Sequence, residues 1–280
     1  MKIHVLGTAQ DGGYPHAGCT NKCCLSAWDS PSLHRLPASI SIIDNENKKF
    51  YLFDISPDIK IQLAQLNIQE YELSGIFITH AHIGHYLGLM SLGLEIMNTK
   101  KIPVYVMPRM KNFILNNAPT NQLILNKNIS IIDLINLSPI ILNDLSVTPF
   151  EVPHRNELSE TVGFKIMTGD NSVIYLPDID DWGQWDVDLC TLVKDNDILF
   201  LDGTFYNKKE INLRDISRIP HPEIIDTMQR LNKLKKSIKK KVHFIHFNHT
   251  NEVIKGNSDA YKHVVQNGFN ILNDNQIFNI

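Results

Sequence analysis

The stretch Gly75-Ile76-Phe77-Ile78-Thr79-His80-Ala81-His82-Ile83-Gly84-His85 decides how this chain is read. Its first half is a short apolar run that reads as a buried strand, and the residues from Tyr86 to Met97 read as a helix. The three histidines therefore occupy a strand-to-helix turn. His80 and His82, two residues apart in nearly extended chain, point the same way and can grip one ion, while His85 leaves from the helix start toward a neighbouring position. Imidazole nitrogen binds zinc at about 2.0–2.1 Å and suits iron as well. Three histidines in six residues at a strand end are a metal pattern rather than ordinary loop histidines.

Working outward, apolar runs that predict strands precede the cluster at Ile3–Leu6, Ile40–Ile43 and Phe50–Phe53, with Ile76–Thr79 leading into it and Val104–Met107 following. A second set runs through Leu145–Val152, Val162–Met167, Ser172–Leu176, Ile198–Leu201 and Val242–His246. Pro57 sits where a first-turn proline belongs, ahead of Ile59, Ile61, Leu63 and Leu66, and Pro222–Leu234 also reads as helical. Each half opens with strands in succession and then alternates strand with helix. That predicts an α/β protein built as an αββα sandwich, with residues 1–280 forming one domain. In such a fold the site gathers at one edge of the sheets, so further ligands should follow other strands. His154 (in Val152-Pro153-His154-Arg155), Asp178 (in Leu176-Pro177-Asp178-Ile179-Asp180) and His246 (closing Val242-His243-Phe244-Ile245-His246) each do.

Bulk properties narrow the function. The chain has 280 residues and a formal net charge of -3, which argues against a constitutive polyanion binder. Lys233, Lys235, Lys236, Lys239, Lys240 and Lys241 form a basic run, but it lies at a helix end without interleaved aromatic residues, so it is expected to solvate that end rather than hold nucleic acid. The opening MKIHVLGTAQDGG lacks the apolar stretch of a signal peptide, and no apolar run approaches the ~18 residues of a membrane span. The expectation is a cytoplasmic protein, off the membrane, acting on a small molecule; a homodimer is compatible with the sequence. Cysteines 19, 23 and 24 are crowded together, which suits metal or reduced thiols better than a disulfide framework. Cys190, on a predicted helix, reads as core.

The order His-x-His-x-x-His, then His154, Asp178 and His246, resembles the metallo-β-lactamase superfamily over nearly the whole chain. Within it the chain is similar to the pyrroloquinoline quinone biosynthesis B proteins and to the phosphodiesterase of phosphonate breakdown, and more distantly to the tRNA 3′-processing endonuclease. The stretches that carry this are Gly7-Thr8-Ala9-Gln10-Asp11-Gly12-Gly13-Tyr14-Pro15, Ser56-Pro57-Asp58, Asp197–Phe205 and His246-Phe247-Asn248-His249-Thr250-Asn251. The resemblance implies the metallo-β-lactamase fold, with Asp54 as the early, turn-fixing aspartate. It also implies metal held by His80, His82 and His154 on one side and by His85, Asp178 and His246 on the other, Asp178 bridging. Two departures stand out. Gly84 occupies the place where the superfamily carries a metal-binding aspartate, so the second position would depend on His249 or water, and Gly84→Asp is expected to raise its occupancy. The histidine motif is complete, whereas the quinone-biosynthesis proteins tend to a degenerate one.

A further implication is a structural zinc site near the N-terminus. Cys19 and Cys24 keep its outer spacing, but Cys23 adjoins Cys24, and neighbouring residues seldom aim both sulfurs at one ion. The fourth ligand would be His16, His34 or water; reduced thiols are the alternative. Asp178, Asp54, His249 and Tyr14 are the candidate catalytic side chains, with Thr204 as a substrate contact and His221 as either a cleft residue or a helix-entry histidine. The chemistry expected is metal-assisted hydrolysis of a phosphodiester or ester with zinc, as one ion or two, or with manganese. Histidine and carboxylate serve iron equally, so an iron-dependent oxygenase or hydroxylase on the same fold, in cofactor biosynthesis, stays open, as does a metal-binding protein without catalysis.

Overall fold

The central strands are apolar on both faces because each is covered twice, by the opposite sheet and by helices. In the computed structural model, which describes residues 1–67, 69–210 and 219–280, they assemble into two seven-stranded sheets. The first contains β1 (Lys2–Gly7), β2 (Ser39–Asp44), β3 (Lys49–Phe53), β4 (Glu72–Phe77), β5 (Ile102–Val106) and β6 (Ile129–Asp133). The second contains β7 (Ile140–Leu142), β8 (Leu145–Glu151), β9 (Val162–Thr168), β10 (Asn171–Leu176), β11 (Ile198–Asp202), β12 (Val242–Ile245) and β13 (Asn270–Ile271). A last strand, β14 (Ile277–Asn279), returns to the first sheet and pairs with β1, Lys2 opposite Asn279. Both sheets follow one plan. Antiparallel pairing through β14-β1-β2-β3 gives way to parallel pairing from β3 to β6, and antiparallel β7-β8-β9-β10 gives way to parallel pairing from β10 to β13.

Between the sheets lies an apolar layer that includes Val5, Ile40, Phe53, Phe77, Val147, Phe164, Tyr175 and Phe200. Phe77 stacks on Phe53 (4.9 Å) and on Tyr105 (4.3 Å), and Phe164 meets Phe53 edge-on at 5.5 Å. Burial is worth about 1.5–3 kcal/mol for each such side chain, so this layer fixes how the two sheets face each other. Outer layers seat the helices: Ile59, Leu66, Leu89, Met110 and Leu123 on the first sheet, and Val193, Ile224, Met228, Ala260 and Val264 on the second. The architecture is the αββα sandwich.

Two helical expectations need correction. The run Tyr86–Met97 is not a helix: a four-residue α-helix, Ile83–Tyr86, passes into a 3-10 segment, Leu87–Leu92, and ends at Gly93. Tertiary bonds take the backbone groups a helix would use, for Ile55 N–H donates to the His85 carbonyl (2.8 Å) and Gly88 N–H donates to the Ile55 carbonyl (3.0 Å). The Pro222–Leu234 signal contracts to Ile224–Arg230. Within the basic run, Lys241 Nζ donates to the carbonyls of Lys194 and Asn196, at the end of the helix Leu189–Lys194 rather than of the helix that carries the run. Cys190 lies partly buried against the second outer layer rather than in the core.

Candidate metal centre

Parallel strands deliver their following residues to one edge, and that is where the polar side chains converge. Asp54 follows β3, the His80–His85 turn follows β4, His154 follows β8, Asp178 follows β10, and His246 follows β12. His80 Nε2 lies 2.8 Å from His82 Nδ1, and His154 Nε2 lies 3.4 Å from the same atom. On the other side, Asp178 Oδ2 is 3.3 Å from His85 Nε2 and 3.5 Å from His246 Nε2, while Asp178 Oδ1 is 3.6 Å from His154 Nε2. Overlapping groups of ligand atoms follow: His80, His82 and His154; His80, His85 and Asp178; His154, Asp178 and His221; and Asp202, His221 and His246, so that His246 groups with Asp202 and His221 rather than with His85. All six residues expected around the metal are thus brought together.

The inward nitrogens of His80, His85, His154 and His246 are each aimed by a partner on the far side of the ring, which fixes tautomer and orientation. Thr79 Oγ1 meets His80 Nδ1 (2.9 Å), Asp54 Oδ2 meets His85 Nδ1 (2.8 Å), Asp180 Oδ1 meets His154 Nδ1 (2.7 Å) and Thr204 Oγ1 meets His246 Nδ1 (3.0 Å). Asp54 is fully buried, and it also accepts from Thr79 N–H, the Thr79 hydroxyl and the Tyr175 hydroxyl. It is a positioning residue, with no face left for a substrate. Thr204, expected at the substrate, is likewise buried and bonded to Asp202 (2.8 Å). Asp180 and Asp202 were legible only as nearby acids; their service to His154 and His221 is a tertiary fact. His221 resolves toward the cleft, with Nδ1 2.6 Å from Asp202 Oδ2 and its side chain buried.

Electrostatics divide the imidazoles. Burial, reinforced by the neighbouring histidines, holds His80 and His246 well below the usual histidine range and takes His82 to about 3. These rings are therefore neutral, the form that ligates a metal. Burial opposes a charge on His85 too, yet the Asp54 and Asp178 carboxylates override it and raise it to about 10. Burial lifts Asp178 to about 6 against the pull of His85 and His154. His221 is raised, Asp202 outweighing its burial. Two buried atoms, Asp178 Oδ2 and His246 Nε2, have no hydrogen-bond partner. An orphaned carboxylate oxygen and an orphaned imidazole nitrogen facing one another are costly unless a cation satisfies both, so these residues fit a metal.

The glycine in the motif is not a simple vacancy. Gly84 N–H donates to Asp11 Oδ1 (2.7 Å), and a β-carbon at 84 would lie 2.5 Å from that oxygen and 2.7 Å from Asp11 Cα. The space for a side chain at 84 is filled by Asp11, so the expectation that Gly84→Asp would build up the second position is overturned on steric grounds. Gly84→Asp should instead destabilise the fold by about 1–3 kcal/mol, as overpacking does, and Asp11→Gly in the same chain should recover part of it. Denaturant unfolding of the single and double variants measures this; a Gly84→Asp protein of wild-type stability would disprove the packing argument.

The remaining candidates form a separate cluster. Cys19, Cys23, Cys24 and His249 place their ligand atoms within 4.8 Å of one another, with Cys19 Sγ 3.6 Å from Cys23 Sγ. Adjacent Cys23 and Cys24, at the start of the helix Lys22–Trp28, nevertheless bring their sulfurs into one group. The fourth member is His249, not His16 or His34. The His34 Nε2 reaches the Ala27 carbonyl (2.9 Å), and the His16 ring stacks on His249 (4.3 Å). His249 is accordingly no supplement to Asp178: among the described residues it groups only with the cysteines. Tyr14 is also reassigned, being buried with its hydroxyl donating to the Cys23 carbonyl (3.0 Å). Against the effect of burial, hydrogen bonds to Asn21 and the neighbouring thiols draw the Cys19 thiol down, whereas burial pushes Cys24 up to about 12. Three thiols that cannot all ionise unaided, beside one imidazole, are a donor set suited to zinc.

Residues 50–247 match the family described as the beta-lactamase superfamily domain, and the chain belongs to it. With two mixed sheets flanked by helices, it has the metallo-β-lactamase fold. Among curated proteins it is 25% identical to coenzyme PQQ synthesis protein B of Xanthomonas campestris pv. campestris, over 98% of each chain. Among solved structures it is similar to Zn(2+)-bound PqqB from Methylobacterium extorquens, with a TM-score of 0.81, 21% identity and all of both chains covered. A diphosphatase of the PhnP family follows at a TM-score of 0.69 and 20% identity, covering 100% of this chain and 97% of that one.

Proposed function

We propose that this chain is a metal-dependent hydrolase of phosphodiesters or esters, acting on a small molecule in the cytoplasm. The observation that carries the reading is the facing pair of buried atoms without a hydrogen bond, Asp178 Oδ2 and His246 Nε2, beside the neutral imidazoles of His80, His82 and His246. His80, His82 and His154 would hold one divalent ion, zinc or manganese, and His85, Asp178 and His246 a second, with Asp178 between them. Bound there, such an ion would supply Lewis-acid polarisation of a phosphoryl or carbonyl oxygen and the acidification of a water. The likeness to a diphosphatase of the PhnP family supports a phosphoryl substrate; among the described residues no helix is long and apolar enough to cross a membrane.

The chain's own residues then divide the remaining work. Asp54 keeps the proton of His85 on Nδ1, so that Nε2 faces Asp178. Asp202 does the same for His221, whose raised pKa lets it carry a second proton on Nε2 and offer it to a leaving oxygen. Arg155 meets His82 Nε2 at 2.9 Å; guanidinium can only donate, so use of His82 Nδ1 as a ligand, with the proton on Nε2, requires this contact to open. The test is a phosphodiester and ester screen on zinc-, manganese- and iron-loaded protein, run with and without dioxygen. Turnover is expected, and His221→Ala should slow substrates with poor leaving groups more than nitrophenyl esters. Activity seen only with iron and dioxygen would replace hydrolysis with oxygen chemistry and leave the fold untouched.

A further inference from the structure

Among the inward residues His80, His82, His85, His154, Asp178 and His246, only Asp178 carries a negative charge, whereas two divalent ions would bring four positive ones. Buried charge without compensation is costly, so the acids just outside this set matter. Three of them are spent on the site's own rings. Asp54 meets His85 Nδ1 and accepts from the Thr79 and Tyr175 hydroxyls. Asp202 meets His221 Nδ1 and accepts from Ile179 N–H and Thr204 N–H, and Asp180 Oδ1 meets His154 Nδ1.

Asp11 is not spent in this way. It stands half-buried in the loop after β1, and its Oδ1 accepts from Gly84 N–H (2.7 Å), in the turn between His82 and His85. Among the described residues its Oδ2 has no hydrogen-bond partner. A β-carbon at residue 84 would lie 2.5 Å from Asp11 Oδ1. Within an aspartate side chain, standard C–C and C–O lengths put the β-carbon about 2.4 Å from its own carboxylate oxygens. The Asp11 oxygen thus stands off residue 84 at the distance where a carboxylate carried by residue 84 would hold its own. Its charge reaches both neighbouring histidines: burial opposes a positive charge on His82 and His85, and Asp11 favours one on each, on His85 after Asp54 and Asp178. Among the described residues Asp11 joins no group of three donor atoms within 4.8 Å, so its part is that of a charge beside the ligands rather than of a ligand.

We propose that Asp11, reaching in from the loop after β1, is the charge-compensating carboxylate that lets the histidine–aspartate centre hold a second divalent ion, in place of a side chain that Gly84 does not have. The inference rests on the reading of that centre as a metal site for two ions. The glycine and the loop acid are then one device: the turn gives up its side chain, and a residue distant in sequence supplies the charge through the space this leaves.

Manganese(II) is the probe, because a hard cation prefers the histidine–carboxylate centre to the thiolates of Cys19, Cys23 and Cys24. Electron paramagnetic resonance of the full-length protein counts unbound manganese during a titration, and a spin-coupled signal marks two ions on one chain, which in two-metal sites lie about 3.5–4 Å apart. Wild type should take two ions, the second more weakly, and show the coupled signal. Asp11→Asn keeps an oxygen for Gly84 N–H and loses the charge. It should weaken the second ion by about tenfold or more, leave the first tight, and lose the coupled signal at matched manganese. Asp11→Glu, which keeps the charge, should recover that signal. Asp11→Ser, whose hydroxyl can also accept from Gly84 N–H, replaces the asparagine variant if that does not fold. A second ion bound by Asp11→Asn as tightly as by wild type overturns the proposal. So does an equal loss of both ions, which would mark a distorted turn, and so does a glutamate variant no better than asparagine. Wild type that takes one ion or none would instead overturn the two-ion reading, and the role of Asp11 with it.

Discussion

Replacing Asp178 with asparagine should lower the affinity of the histidine centre for zinc by more than about 100-fold, beyond the range seen when only a supporting residue is lost. The substitution keeps shape and removes charge. Asp178 reaches His85, His154 and His246 together, and its Oδ2 has no hydrogen-bond partner among the described residues. Without the carboxylate, an ion placed among these rings would meet neutral nitrogens alone. Metal content after gel filtration, with circular dichroism to establish that the fold is kept, measures the effect. An asparagine variant that retains full zinc would move the ligand role away from Asp178.

Asp54→Asn should produce the largest loss of stability, about 3–5 kcal/mol, because it breaks a buried charged network by removing one partner. Asparagine is the apt substitute: residue 54 has φ of 62°, which asparagine tolerates and alanine does not. The loss should depend on pH in the metal-free protein. The folded pKa of His85, raised to about 10, exceeds its unfolded value near 6.5, so the Asp54–His85 pair contributes fully below pH 6.5 and its contribution fades as pH climbs to 10. Metal-free wild type should therefore weaken across that window more steeply than Asp54→Asn, in which Asp178 alone still favours a charged His85. Urea unfolding at pH 6, 8 and 10 gives the answer; parallel curves for the two proteins would mean that His85 is not charged in the fold.

The sandwich and the six inward residues were legible because their signals are local. Each ligand stands just past an apolar strand, and strands of one sense put such residues on one edge. What escaped was set by partners far away in sequence. The edge strands β6, β7, β13 and β14 are short or carry exposed positions, so their apolar pattern is weak. The segment after His85 reads as a helix until its amide and carbonyl groups are seen bonding to Ile55. Gly84 looks like a missing carboxylate until Asp11 is found in its place, and Cys19 gains its fourth companion from residue 249. Tyr14, in a glycine-rich turn, gave no local sign that its hydroxyl faces Cys23 rather than the cleft.

The division of the centre between two matching sheets also dictates when it can come into being. His80, His82 and His85 issue from the first sheet, and His154, Asp178 and His246 from the second. Neither half alone offers a complete set, and the last member is made only when synthesis has passed residue 246. A nascent chain can shape the first sheet's turn early, yet it has nothing with which to trap an ion tightly until the second sheet has closed over it. Ion capture is then the closing act of maturation, and an emerging or truncated chain competes poorly for scarce metal with the finished molecule.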